Sequence, residues 1–253
     1  MKIIISPAKS LDFEREIPNF SFEHPLYLEQ SAKIMKPLKR IKPKKLGELM
    51  KISDKLSELN WERNQDWELD YSASSSRPAV YAFTGDVYQG IDVDHLSQEQ
   101  VGYLQENLNI LSGLYGMLRP LDFILPYRLE MGTKLPVGKA KNLYGFWKPI
   151  LTPAMNDAFT EEGDFLLNLA SNEYSKALDL KNMNVPVITP QFQDYKDGKL
   201  KMISFFAKKA RGLMVRYCAL NKVSTIDQIK QFDLDGYALD ASLSDETNLV
   251  FTR

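Results

Sequence analysis

Ser6 and Lys9 are the first residues of this chain whose types and spacing suggest chemistry. Their S-x-x-K spacing is that of penicillin-recognising enzymes, in which the serine attacks and the lysine helps to take its proton. Here the pair follows an apolar run, residues 3–5, and no Lys-Thr-Gly motif occurs further along. We therefore expect a polar turn at the end of a strand, with Lys9 projecting into a cleft.

Two carboxylates, Asp86 and Glu130, together with Lys134 have the residue types of a metal-dependent nuclease, in which carboxylates hold Mg²⁺ and a lysine steadies the attacking water. Structural ion pairs explain the same residues, and we favour a pair between Glu130 and Arg128 or Arg119. The chain has one cysteine and two histidines, too few for a cysteine- or histidine-rich metal centre. We predict no metal site and no cofactor.

Positive charge is unevenly distributed, although the formal net charge is only -1. Residues 33–45 and residues 199–222 each contain seven lysines or arginines and no acid. Two such segments could focus a positive field on one face of a neutral protein and attract nucleic acid. Each could equally be a solvated helix face. The sequence leaves both interpretations open.

The basic turn at residues 36–45 has a more specific pattern, because Ile41-Lys42-Pro43-Lys44 joins two predicted helices. The arrangement resembles a helix-hairpin-helix, in which backbone N–H groups of the turn and the next helix face a phosphate. The usual hairpin glycine is missing, which favours contact through shape and charge. The candidate DNA-binding residues are Lys36, Lys39, Arg40, Lys42, Lys44 and Lys45 in this segment, with Lys9, Arg128, Lys208, Lys209, Arg211 and Arg216 around a cleft and Asn172 and Tyr174 beside them.

Hydrophobic periodicity predicts one α+β domain over residues 1–253, with a mixed sheet, surrounding helices and a helical elaboration at about 26–70. A mixed sheet is favoured over a doubly wound parallel sheet because strands and helices do not strictly alternate. The predicted strands are residues 2–5, 79–83, 109–112, 165–170, 185–188, 200–204 and 249–252. The predicted helices lie within 26–60 and at 97–107, 143–158, 171–180 and 205–220. Gly85 and Gly90 are expected to bracket a tight loop.

Several phrases, spread in order over the whole chain, resemble the peroxide-stress protein YaaA family. They are Ile5-Ser6-Pro7-Ala8-Lys9-Ser10-Leu11-Asp12, Gly85-Asp86-Val87-Tyr88, Leu111-Ser112-Gly113-Leu114-Tyr115-Gly116, Leu118-Arg119-Pro120-Leu121-Asp122, Pro126-Tyr127-Arg128-Leu129-Glu130-Met131-Gly132, Asn168-Leu169-Ala170-Ser171-Asn172-Glu173-Tyr174 and Ala207-Lys208-Lys209-Ala210-Arg211-Gly212. The resemblance implies a fold peculiar to the family, with a helix-hairpin-helix beside a positive cleft. It also implies binding of duplex DNA and protection against oxidative damage by keeping free intracellular iron low.

Three functional hypotheses follow. The first is a non-enzymatic, sequence-independent binder of duplex DNA, cytoplasmic and without a membrane partner, since no apolar run approaches the roughly 18 residues of a membrane span. The second is an enzyme acting on nucleic acid or on a small phosphorylated or carboxylated substrate, with a cleft formed by Ser6, Lys9, Asp86, Arg128, Glu130, Asn172 and Lys208. The third is a direct iron binder, which would need oxygen ligands.

Overall fold

The computed structural model describes all 253 residues and has a mixed β-sheet at its centre. The strands are β1 (Lys2–Ile5), β2 (Ser10–Leu11), β3 (Arg77–Pro78), β4 (Phe83–Thr84), β5 (Leu108–Ser112), β6 (Gly116–Leu118), β7 (Phe123–Ile124), β8 (Leu166–Asn168), β9 (Val187–Lys196), β10 (Lys199–Lys201), β11 (Ala238–Leu239) and β12 (Asn248–Thr252). The helices are α1 (Leu28–Leu38), α2 (Pro43–Met50), α3 (Asp54–Asp66), α4 (Ala79–Ala82), α5 (Asp86–Ile91), α6 (Gln98–Asn107), α7 (Leu143–Asp157), α8 (Asn172–Ser175), α9 (Ser204–Asn221) and α10 (Ile226–Lys230).

The main sheet has eight strands in the order β11-β12-β9-β8-β1-β5-β6, with β10 paired to β9. Its five central strands, from β12 to β5, are parallel, whereas β6, β10 and β11 pair antiparallel with their neighbours. The mixed sheet confirms the predicted α+β class. The central strand β1 is buried on both faces, as parallel strands usually are, since Ile3, Ile4 and Ile5 are all completely buried.

Local sequence signals account for several of the element boundaries. Ser97 caps α6 through a complete capping box with Gln100, and Pro43 occupies the first turn of α2. Ser53 caps α3. Asp197 and Gly198, both with positive φ, form the two-residue loop of the β9–β10 hairpin.

The strand predicted at residues 79–83 is wrong, because Ala79–Ala82 form the short helix α4 and only Phe83 begins a strand. All four residues of this helix are buried. A short apolar segment buried on every side shows neither helical nor strand periodicity, so its sequence does not distinguish the two.

The prediction of a tight loop between Gly85 and Gly90 is also wrong. Residues Asp86–Ile91 form the helix α5, and Gly85 precedes it with φ of 116°. The helix predicted for residues 171–180 is shorter than expected, since α8 ends at Ser175 and turns follow. The strand predicted at 185–188 continues to Lys196, whereas that at 200–204 ends at Lys201.

The segment at 26–70 is helical, as predicted, and comprises α1, α2 and α3. Residues 39–42 form the basic turn between α1 and α2. Within this segment α2 packs closely on α3, since a Cβ on Gly47 would lie 3.3 Å from the Ser57 Cβ. Their connection turns at Lys51, which has a left-handed backbone.

One continuous hydrophobic core joins both faces of the sheet to the helices. Trp147 of α7 is completely buried and donates from its indole nitrogen to the Gly113 carbonyl at 2.9 Å. Cys218 of α9 packs in the core as a small apolar side chain. No helix is both long enough and apolar enough to cross a bilayer.

Candidate functional site

A cavity of about 440 Å³ opens where β1 and β8 end. The residues after β1 line one side, and those after β8 line another. The start of α5 and one face of α9 complete the walls. The lining includes Ser6, Pro7, Ala8, Lys9, Ser10, Thr84, Gly85, Asp86, Val87, Tyr88, Leu169, Ser171, Glu173, Tyr174, Lys208 and Arg211.

The sheet topology explains why an opening forms at this point. Strands β1 and β8 are adjacent and parallel, but the chain after β1 leads to β5 on one side and the chain after β8 leads to β9 on the other. The two connections diverge and leave a crevice beyond the carboxyl ends of the strands. Such switch points are where open α/β sheets usually bind ligands.

Hydrogen bonds fix the junction between β1 and α8. The Ser171 N–H donates to the Ser6 Oγ at 2.9 Å, and the Ser6 hydroxyl lies 3.2 Å from the Ser171 Oγ. Tyr88 donates from its hydroxyl to the Ser6 carbonyl at 3.2 Å. Ser6 forms no hydrogen bond with Lys9, so the geometry does not assemble a serine–lysine nucleophile. Ser6 instead bonds to Ser171 and Lys9 pairs with Glu130, as expected for a polar turn at the end of a strand.

Helix α9 contributes the cations of the opposite wall. Lys208 and Arg211 lie three residues apart, share one helix face and both line the cavity. Arg211 is half-buried, and this partial burial lowers the pKa of its guanidinium below the ordinary value. Neither side chain forms a hydrogen bond or an ion pair with the protein. The wall therefore presents a partly desolvated guanidinium without a protein partner, which is suited to an external anion.

A close helix crossing holds this wall in place. A Cβ on Gly90 of α5 would lie 2.3 Å from the Lys209 carbonyl oxygen of α9. Only glycine therefore allows the two backbones to approach this closely. The crossing fixes Asp86, at the start of α5, relative to Lys208 and Arg211.

A small group of charged residues adjoins the cavity. Glu130 Oε1 accepts hydrogen bonds from Arg128 Nε at 3.2 Å and Nη2 at 2.9 Å, and lies 3.5 Å from Lys9 Nζ. The predicted Glu130–Arg128 ion pair is therefore confirmed. Arg119 pairs instead with Asp122 and Glu23.

The nuclease residues are not gathered at one point. Glu130 lines a small void beside the main cavity, whereas Asp86 lines the main cavity and Lys134 is exposed and lines neither. Glu130 Oε2 is buried without a hydrogen-bond partner. No three Asp, Glu, His or Cys side chains are close enough together to hold a metal ion.

The basic turn and its neighbours lie outside the cavity. Lys36, Arg40, Lys44 and Lys45 are exposed. Lys39 donates to the Gln65 carbonyl at 3.0 Å, and Lys42 Nζ lies 5.8 Å from the centre of the Trp61 ring. None of the six candidate residues of this segment forms an ion pair with a carboxylate, so their charge is not neutralised.

Arg63 of α3 interacts electrostatically with the charged group beside the cavity. Burial, with a smaller contribution from the positive charge of Arg128, lowers the pKa of Arg63 on α3. Arg128 and Lys9 share the carboxylate of Glu130, and Lys9 also lines the main cavity. The charge of Arg63 is therefore influenced by the Arg128–Glu130–Lys9 group beside the cavity.

Two of the predicted DNA-binding residues within residues 199–222 form ion pairs with acids of this protein. Lys209 points away from the cavity and pairs with Asp235 at 3.8 Å. Arg216 donates to the Ile91 and Asp92 carbonyls and to the Asp92 carboxylate, which ties α9 to the end of α5. Neither lines the cavity, although both belong to the same acid-free stretch as Arg211.

Among the other predicted cleft residues, Tyr174 lines both the cavity and the adjoining void, and burial raises its pKa. Asn172 is exposed at the start of α8 and does not line the cavity. Sequence reasoning did not select Ser171, Glu173 or Tyr88. Ser171 and Glu173 stand in a quoted phrase directly after a buried strand, which is the signal that could have identified them.

Comparisons with known proteins identify the family to which the sequence phrases around this cleft belong. A family model described as "Peroxide stress protein YaaA" matches residues 1–243. The chain belongs to the peroxide stress protein YaaA family. The predicted family resemblance is therefore confirmed.

Curated relatives in the YaaA family align with this chain from end to end. A UPF0246 protein of Flavobacterium johnsoniae is 56% identical over 253 residues, and that of Flavobacterium psychrophilum is 53% identical, each alignment covering the whole of both chains. The UPF0246 protein of Hahella chejuensis is 50% identical over 254 residues, covering 100% of this chain and 99% of the relative.

Proposed function

We propose that this protein acts in peroxide stress by binding duplex DNA without regard to sequence. The observation that carries the proposal is the unpaired Arg211 in the cleft wall. Arg211 forms no ion pair, and the three cations of the cavity lining, Lys9, Lys208 and Arg211, outnumber its two acids, Asp86 and Glu173, even though the whole chain is slightly acidic. Arg128 and Lys9 extend this potential, although Glu130 offsets part of it.

The basic turn supplies the second contact. Lys42, Lys44 and Lys45 flank the start of α2, are exposed and form no hydrogen bond or ion pair. Their side chains are free to contact phosphates, which position a protein on DNA but carry no sequence information.

The effect on free iron that the family resemblance implies is proposed to be indirect. No three side chains are arranged to hold a metal ion, and Cys218 is buried in the core. Protection through occupancy of DNA needs no iron ligand on this chain. Stoichiometric uptake of Fe²⁺ in equilibrium dialysis would contradict this part of the proposal.

Fluorescence anisotropy with a labelled, mixed-sequence duplex at several salt concentrations tests the DNA proposal. Each phosphate that the protein neutralises adds about 0.9 to the slope of log affinity against log salt. The triple variant Lys42→Ala, Lys44→Ala, Lys45→Ala should lower this slope by about 2–3 and weaken binding about tenfold or more.

A control with the same change in charge is the triple variant Lys139→Ala, Lys141→Ala, Lys181→Ala, whose lysines are exposed and lie outside the turn and the cleft lining. It should bind the duplex nearly as the parent does. Equal losses in both variants would show that only total charge matters. An unchanged isotherm for the turn variant would remove the turn from the interface.

A further inference from the structure

The cavity between β1, β8, α5 and α9 has features that DNA binding does not explain. Its volume of about 440 Å³ lies within the usual range for sites that enclose small molecules. It also lies at the switch point of the sheet, beyond the carboxyl ends of two parallel strands. Both features are typical of a site for a small ligand.

The cavity lining carries charges of both signs. Lys208 and Arg211 on α9 present two cations without protein partners. Asp86 on α5 presents a carboxylate that forms no hydrogen bond or ion pair, and Glu173 adds a second acid whose Oε1 accepts the Gly132 N–H at 3.0 Å. A ligand that satisfies both kinds of group needs an anionic group and, elsewhere on the same molecule, hydrogen-bond donors.

A DNA backbone meets only half of this requirement. Its phosphates suit Arg211, but its deoxyribose sugars within a strand carry no hydroxyl donors for Asp86, and carboxylates repel phosphates. A phosphate monoester of a sugar has the anionic group and the hydroxyl donors in one small molecule. Arginine binds such phosphate groups through two parallel hydrogen bonds.

We infer that this cavity binds a small phosphate monoester, of sugar-phosphate to mononucleotide size, with Lys208 and Arg211 on the phosphate and Asp86 on a hydroxyl group. The inference does not depend on DNA binding. The site is already formed without the ligand, because the Gly90 contact fixes α5 against α9 and the Ser6–Ser171 hydrogen bonds fix the opposite side. Pre-organisation of this kind lowers the entropic cost of binding.

Isothermal titration calorimetry on the full chain tests the inference with AMP and ribose 5-phosphate as probes, and with adenosine and inorganic phosphate as comparisons. We expect one site for each phosphate monoester and at least about tenfold weaker binding of adenosine and of inorganic phosphate. Arg211→Gln and Asp86→Asn should each weaken AMP binding about tenfold or more. Lys208→Gln, at an exposed position, gives a second test of the cationic wall if Arg211→Gln unfolds.

Lys209→Gln is the matched control, because Lys209 lies on the same helix but pairs with Asp235 away from the cavity. It should bind AMP as the parent does. The inference is overturned if neither monoester binds at millimolar concentration, if inorganic phosphate binds as tightly as AMP, or if Arg211→Gln, Lys208→Gln and Asp86→Asn leave AMP binding unchanged.

Duplex binding measured on Asp86→Asn separates this inference from the DNA proposal. Removing the carboxylate should weaken AMP binding and leave duplex affinity unchanged or higher. If AMP does not bind but the parent protein binds duplex in a salt-dependent way, only the small-ligand inference fails. If AMP binds and duplex does not, only the DNA proposal fails.

Discussion

Gly212 of α9 lies directly against the Val87 carbonyl of α5, since a Cβ built on Gly212 would fall 1.9 Å from that oxygen. The contact allows α9 to carry Lys208 and Arg211 to the wall of the cavity. The position of the cations therefore depends on a residue that has no side chain.

Gly212→Ala should destabilise the protein by at least about 2 kcal/mol, because the added methyl group has no space and the two helices must separate. Chemical denaturation measures the loss. The control is Gly102→Ala in α6, where a Cβ would meet nothing within 4 Å. This variant should be more stable than the parent by about 0.5–1 kcal/mol, because alanine favours a helix. Equal stabilities for the two variants would show that the crossing is not tight.

Glu130→Gln should strengthen duplex binding, because it removes the carboxylate that Arg128 and Lys9 share. With these cations released, the slope of log affinity against log salt should steepen by about 1. Anisotropy titrations measure both quantities. The control is Glu106→Gln, which makes the same charge change at an exposed position. Mg²⁺-dependent cutting of DNA by the parent that Glu130→Gln abolishes would support the enzymatic alternative instead.

Asp122 should make stability depend on pH. Burial raises the pKa of its carboxyl to about 6, although Arg119 opposes this shift through hydrogen bonds and charge. An unfolded aspartate has a pKa of about 3.9, so the folded state binds this proton more tightly. The resulting stabilisation is fully present below about pH 4 and is lost as the pH rises through about 6.

Urea denaturation between about pH 4 and pH 7 measures the change in the free energy of unfolding, to which Asp122 should contribute about 3 kcal/mol. Asp122→Asn should remove that part of the pH dependence, whereas Asp66→Asn, at an exposed carboxyl group, should leave it in place. Identical pH profiles for the parent and Asp122→Asn would contradict the prediction.

Features that depend on residues close in the chain could be predicted from the sequence. The capping box of Ser97 and Gln100, Pro43 at the start of α2 and the Asp197-Gly198 turn each act within a few residues. The Glu130–Arg128 ion pair is equally local. The composition and order of the elements were enough to predict a mixed α+β fold, and the quoted phrases identified the family.

The cavity, in contrast, was decided only by the tertiary structure. Pairing of β1 with β8 brings Ser6 to Ser171, and the Gly90–α9 contact brings Asp86 close to Lys208 and Arg211. Such pairings join residues far apart in the chain, and no local preference encodes them.

Tertiary contacts also decide which basic residues of α9 are paired with an acid and which are not. Arg211 has no partner, while Lys209 and Arg216 are paired with Asp235 and Asp92. All three stand in one acid-free stretch of sequence. Charge along the chain is fixed by composition, but its neutralisation depends on which acids the fold brings within a few ångströms. The sequence therefore determined which cations exist, and only the tertiary structure determined which of them face the cavity unpaired.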